Sequence, residues 1–160
     1  MAEYNIEFSE NLIDAGNLIL IGDPHSFDAH QTVLYLSLLS CEITLKALLE
    51  KSGMQINIIR KRSHNLHELL VDLGKCKVPL EIGNTKRWVS ASKIRGRVVD
   101  KRYANATIGT MLEAESKGAS KYPNGIRYGD KFFYYPPSLM LKTAIKTMQW
   151  AREHWDTIRI

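Results

Sequence analysis

The stretch of this 160-residue chain best equipped for chemistry is Arg60-Lys61-Arg62-Ser63-His64-Asn65-Leu66-His67. Four residues separate Arg62 from His67, and six separate Arg60 from His67. An arginine fork matches phosphate oxygens, and a histidine titrating at about pH 6.5 can take or give a proton. Together they suffice for RNA cleavage in which the substrate's own 2′-OH attacks. Arginine stabilises the charged transition state and histidine moves the proton, so no metal or enzyme nucleophile is required. His64 stands in the same stretch as a second proton carrier. The plainer alternative is that His64 caps or packs at a helix start, His67 is solvated, and the basic run is an ordinary turn.

Two further constellations could meet an anion. Between residues 86 and 102, seven basic residues (Lys86, Arg87, Lys93, Arg95, Arg97, Lys101 and Arg102) face one acid, Asp100. They form either a phosphate-binding face or a solvated helix surface. Tyr122, Arg127, Tyr128, Lys131, Phe132, Phe133, Tyr134 and Tyr135 could stack bases while their cations meet phosphate. Aromatics near prolines more often cover a core or a dimer seam, and that covering role is the favoured one here. Asp23, His25, Asp28 and His30 lie close together, but they span a turn and a helix start, where Asp is expected as a cap. No glycine-rich phosphate loop, Gly-x-Ser-x-Gly elbow or dinucleotide fingerprint is present, and no cofactor or metal is implied.

At 44% hydrophobic and 24% charged residues, the chain suits one domain spanning 1–160 with a sizeable core. No apolar run reaches the roughly 18–20 residues of a membrane span, and the acidic start lacks an export signal, so the expectation is a cytoplasmic protein without membrane contact. Two cysteines, Cys41 and Cys76, make no disulfide framework, and Cys41 reads as a buried thiol. The net charge of +5 is unevenly spread. Up to Ile58 two basic residues stand against eight acidic ones, and from there on twenty stand against nine. The second half therefore either faces phosphate or complements the first half, within or between subunits.

Helices must position these residues. Leu12, Ile13, Ala15, Leu18 and Ile19 recur at helical spacing over residues 8–20, with Ser9 as the expected N-cap. A longer helix over residues 29–49, capped by Ser26 or Asp28, is apolar around most of its circumference and should lie at the centre of a bundle. Glu42 and Lys46, four apart within it, would both need partners there. Ser63 is the expected cap of a third helix ending at Gly74, and Trp88, Ala91, Ile94 and Val98 suggest a helical stripe across residues 84–103. A further helix is expected over residues 108–116. Pro123-Asn124-Gly125 and Gly129-Asp130 then predict a small aromatic hairpin before a last helix from Ser138. The expected architecture is all-α with that one hairpin or loop.

Three stretches, in order, resemble the HEPN (higher eukaryotes and prokaryotes nucleotide-binding) family of four- or five-helix bundles. Cys41-Glu42-Ile43-Thr44-Leu45-Lys46-Ala47-Leu48-Leu49 is similar to its Glu-x-x-x-Lys-Ala-Leu helix. Ser63-His64-Asn65-Leu66, followed by Leu69 and Leu70, is similar to its Thr-His-Asp-Leu helix opening, and Tyr122-Pro123 to its Arg-Tyr-Pro segment. Lys121 stands where that arginine would be. The resemblance covers about half the chain. It implies a helical module, often dimeric, that binds nucleotide or RNA and works beside a minimal nucleotidyltransferase in a toxin–antitoxin-like or defence-type pair. Some members are metal-independent ribonucleases with an Arg-x(4–6)-His motif, which gives Arg62 or Arg60 and His67 the catalytic roles of the alternative reading. That motif usually opens a later helix, whereas here it overlaps the entry to helix three.

Overall fold

A computed structural model describes residues 1–130 and 135–160. The described residues are mostly helical and carry one small antiparallel sheet. Helices α1 (Ile6–Gly22) and α2 (Phe27–Lys51) are joined by a short turn and pack along each other. Asn5, not Ser9, opens α1, because its side-chain oxygen accepts the N–H groups of Glu7 and Phe8. Ser9 is instead sealed in the seam with α2, where its hydroxyl lies 2.8 Å from that of Ser40 and 2.7 Å from that of Thr44. Ser26 caps α2 as expected.

Helix α2 is the central rod. Val33, Leu38, Cys41, Leu45, Leu48 and Leu49 are wholly inaccessible along it. It packs against α1, α4 (Leu66–Leu73) and α7 (Pro137–His154). Among the described residues it is also the one helix long and apolar enough to cross a membrane, which corrects the expectation that no such stretch exists. Here 72% of its most apolar stretch is buried inside the protein. The predicted third helix is α4, which ends at Gly74 as expected. A separate short helix, α3 (Ile56–Lys61), precedes it, and between the two Ser63 takes a left-handed φ of 48° in place of the cap. Asn65 caps α4 by accepting the Glu68 N–H at 3.1 Å.

The expected stripe over residues 84–103 is corrected. β1 (Lys77–Ile82) and β2 (Thr85–Ser90) form a hairpin around Gly83-Asn84, with Gly83 at a φ of 60°. A 3-10 helix (Ala91–Gly96) follows, and its Ala91 and Ile94 are wholly buried. Helix α5 (Ile108–Ser116) then starts from a Thr107–Thr110 capping box. A Cβ on Gly109 would come within 2.9 Å of the Arg95 Cβ, so only glycine lets α5 approach this closely. Of the expected aromatic hairpin or loop, the described part before Gly129 contains the single helical turn α6 (Asn124–Arg127) in place of a strand. The expected contributions of Lys131, Phe132, Phe133 and Tyr134 lie outside the described residues. Helix α7 closes the core with Leu141, Ala144, Met148 and Ala151.

Candidate functional site

Glu42 and Lys46 lie on α2 with only 4% and 7% of their surface exposed, and the Lys46 Nζ donates to Glu42 Oε1 at 2.7 Å. The second carboxylate oxygen, Oε2, accepts from His64 Nδ1 at 2.9 Å and from the Tyr122 hydroxyl at 2.6 Å. A buried carboxylate is tolerated when its lone pairs are met in this way. Burial first, and the charge of Glu42 second, push the Tyr122 phenol well above its usual range, so it remains a donor. Because a carboxylate only accepts, His64 carries its hydrogen on Nδ1 and is left with Nε2 for a ligand. The imidazole stands edge-on to the Tyr122 ring, 6.1 Å between centres, with 45% of the side chain exposed. Behind Tyr122 lies Tyr35, whose hydroxyl accepts from Arg127 at 3.2 Å.

This cluster borders a cleft of about 330 Å³ lined by Arg62, Ser63, His64, Asn65, Glu115, Ser116 and Tyr122. The first turn of α4 opens on it, and a helix start offers unpaired N–H groups and the positive end of its dipole. On the α5 side, one Glu115 oxygen accepts the Ser120 hydroxyl, while Oε1 is buried and, among the described residues, lacks a close hydrogen-bond partner. Burial raises the Glu115 pKa. The folded protein thus holds this proton after the unfolded chain has released it, so the Glu115 contribution to stability falls as pH rises from the ordinary glutamate value. Glu115→Gln should melt like the parent at pH 4 and higher than the parent at pH 8. Thermal melts with the same pH slope for both proteins would contradict this assignment.

The structure separates the residues of the Arg-x4-His motif. Arg62 donates from Nε and Nη2 to Asp72 at 2.5 and 3.1 Å, and its Nη1 lies 3.3 Å from Glu68. The Asp72 side chain is inaccessible and also accepts from Lys75 at 2.6 Å. Burial alone would raise the Asp72 pKa, but the bonds from Arg62 and Lys75 outweigh it and hold the carboxyl below its usual range. Arg62 thus reaches the cleft as the neutralised half of an ion pair. His67 does not line the cleft, and its Nδ1 is buried without a partner among the described residues. Arg60 pairs with Glu3, away from the cleft. His64 and Arg62 are the two members of the predicted set that come together there.

The basic stretch is likewise dispersed. Arg95 pairs with Glu113 and Arg97 with Glu153. Arg102, at 2.9 Å, and Lys142, at 2.6 Å, close on Asp100 and hold it far below the carboxylate range. Among the described residues, Lys86, Arg87, Lys93 and Lys101 make no ion pair. Arg127 is held on Tyr35, and Tyr128 is 80% exposed. Asp23 accepts from the Ser26 N–H, and His30 Nε2 donates to the Pro24 carbonyl, so both serve the turn into α2. Among the described residues no three His, Cys, Asp or Glu side chains assemble as metal ligands. Burial pushes the Cys41 thiol up to about 12.

Sequence reasoning placed Glu42 and Lys46 correctly as a pair in need of partners, and their apolar flanks were the signal. Glu115 and Asp72 carried no such signal, because each owes its position to a contact between elements. Comparison with protein-family models, with characterised proteins and with solved structures returns no match for this chain.

Proposed function

We propose that the chain is a HEPN-like helical module that binds a nucleotide, or the phosphate of an RNA nucleotide, in the cleft over Glu42. One observation carries the reading. The three stretches that resemble the family are separated by up to 80 residues, yet Glu42, Lys46, His64 and Tyr122 meet through a single carboxylate. In this reading the phosphate approaches the first turn of α4 and His64 Nε2. The buried Glu115 Oε1 accepts from a ribose hydroxyl or a base N–H. The same reading expects a cytoplasmic homodimer acting with a nucleotidyltransferase-type partner. Titrating fluorescent mono-, di- and triphosphates should give saturable binding that His64→Ala weakens about tenfold or more, since a bond to a charged group is worth roughly 1.5–3 kcal/mol. The melting temperature should barely change, because half of His64 is already solvated. Binding indifferent to His64, or absent for every nucleotide, rejects the reading.

A second reading, a metal-independent endoribonuclease, is favoured by the Glu42–His64 hydrogen bond, which orients an imidazole as a general base requires. In this version His64, not His67, moves the proton. Incubation of the protein with tRNA and mRNA in EDTA decides it: cleavage abolished by His64→Ala and retained by His67→Ala is the expected pattern. RNA left intact removes the enzyme.

A further inference from the structure

The β-hairpin carries a second surface, independent of the cleft over Glu42. In the register of the two strands, Lys77 faces Ser90, Pro79 faces Trp88 and Glu81 faces Lys86. Side chains alternate along a strand, so these six share one face, while Val78 and Val89 on the other face join the core. Arg159 pairs with Lys77 along the other edge of β1, its N–H and C=O bonding at 3.1 and 2.7 Å. That pairing brings its side chain to the same face. The Arg159 guanidinium lies 3.4 Å from the centre of the Trp88 ring, and the Lys86 ammonium lies 5.8 Å from it. Trp88 is 39% exposed, whereas Trp150 in the core is 4% exposed. Among the described residues, Lys77, Lys86 and Arg159 make no ion pair, and Glu81 is the one acid in the two strands.

Three cations, against the single acid Glu81, around a half-exposed tryptophan complement a chain that alternates negative charge with flat, unpaired rings. A duplex would hide those rings in its stack, and an acidic peptide would leave the indole–guanidinium plane unused. We propose that this outer hairpin face binds single-stranded nucleic acid. Lys77, Lys86 and Arg159 meet backbone phosphates, and a base stacks on the Trp88–Arg159 pair.

The test uses the full chain with fluorescein-labelled single-stranded RNA and DNA 15-mers, the corresponding duplex, inorganic polyphosphate and polyglutamate. Single strands should bind more tightly than the other three, with log affinity falling against log salt at a slope of about −2 for three phosphates. Trp88→Ala should weaken single-strand binding about tenfold, and Trp88→Phe should restore most of it. Lys86→Gln, which removes no packing, should weaken binding and flatten the salt slope by about 0.7. The losses caused by Trp88→Ala and Lys86→Gln should be the same in a His64→Ala background, so failure here and failure of the nucleotide cleft are separate results. Duplex, polyphosphate or polyglutamate binding as tightly as single strands would overturn the proposal, as would binding insensitive to both Trp88→Ala and Lys86→Gln.

Discussion

Arg62→Ala should destabilise the protein by about 3–5 kcal/mol, the usual cost of stranding a buried charge. Its partner Asp72 has a side chain with no exposed surface, held by two bonds from Arg62 and one from Lys75. With Arg62 gone, Lys75 alone must neutralise it, and that ammonium sits on a side chain 59% exposed to water. Arg62→Lys should recover less than half of the loss, because a point charge cannot reproduce a two-pronged contact. The double variant Arg62→Met, Asp72→Asn should recover most of it, since no bare carboxylate remains. Urea unfolding of the four proteins at neutral pH measures this directly. A loss under 1 kcal/mol in Arg62→Ala would mean that Asp72 is adequately served without it. The consequence for function is direct: lost activity in an Arg62 variant reports a damaged fold, so His64 is the residue on which RNA chemistry should be judged.

Legibility of this chain followed the range of the interactions involved. Helix α2 was readable because its signal is local and long, and it occupies Phe27–Lys51 against an expected 29–49. Helix α7 also lies where its apolar spacing puts it, and α5 spans the expected residues 108–116. Caps were less reliable, because several polar residues near a helix start compete and tertiary contacts choose between them. Ser9 was drawn into the α1–α2 seam and left the cap to Asn5, while Ser63 yielded to Asn65. The hairpin was misread for a different reason. Trp88, Ala91, Ile94 and Val98 have helical spacing, but Gly83-Asn84 sits between Val78-x-Leu80-x-Ile82 and Thr85-x-Arg87-x-Val89, which is the two-residue turn signal of paired strands. Charge counting missed the dispersal of the basic stretch for a third reason. Glu113 and Glu153 neutralise Arg95 and Arg97 from elements remote in sequence, and Arg159 joins Trp88 from 71 residues away. Of the site, Glu42, Lys46 and His64 were legible as residues, but their common meeting with Tyr122 follows from packing alone.

Removing the Glu42 carboxylate should have the other large effect, and it separates fold from function. Glu42→Ala leaves Lys46 buried without an anion, the Tyr122 hydroxyl without its acceptor and His64 unanchored. The expected loss is about 3–5 kcal/mol, for the same reason as at Asp72. Glu42→Gln keeps an acceptor for Tyr122 but leaves the Lys46 charge unbalanced, so its loss should be intermediate. The triple variant Glu42→Leu, Lys46→Met, Tyr122→Phe removes the stranded buried groups, leaves only the half-exposed His64 to water, and fills similar volume. Its stability should return to within about 1–2 kcal/mol of the parent, because apolar replacement of a buried ion pair is often neutral or better. Nucleotide binding should not return with it, since nothing then fixes the hydrogen of His64 on Nδ1 or aims Nε2 at the cleft. A folded triple variant that binds nucleotide as the parent does would reduce the buried cluster to scaffolding and remove the reason for placing a ligand beside it. A folded triple variant that has lost binding, while its single-strand affinity at the hairpin persists, would locate the nucleotide at Glu42 and His64 and leave the two surfaces energetically separate.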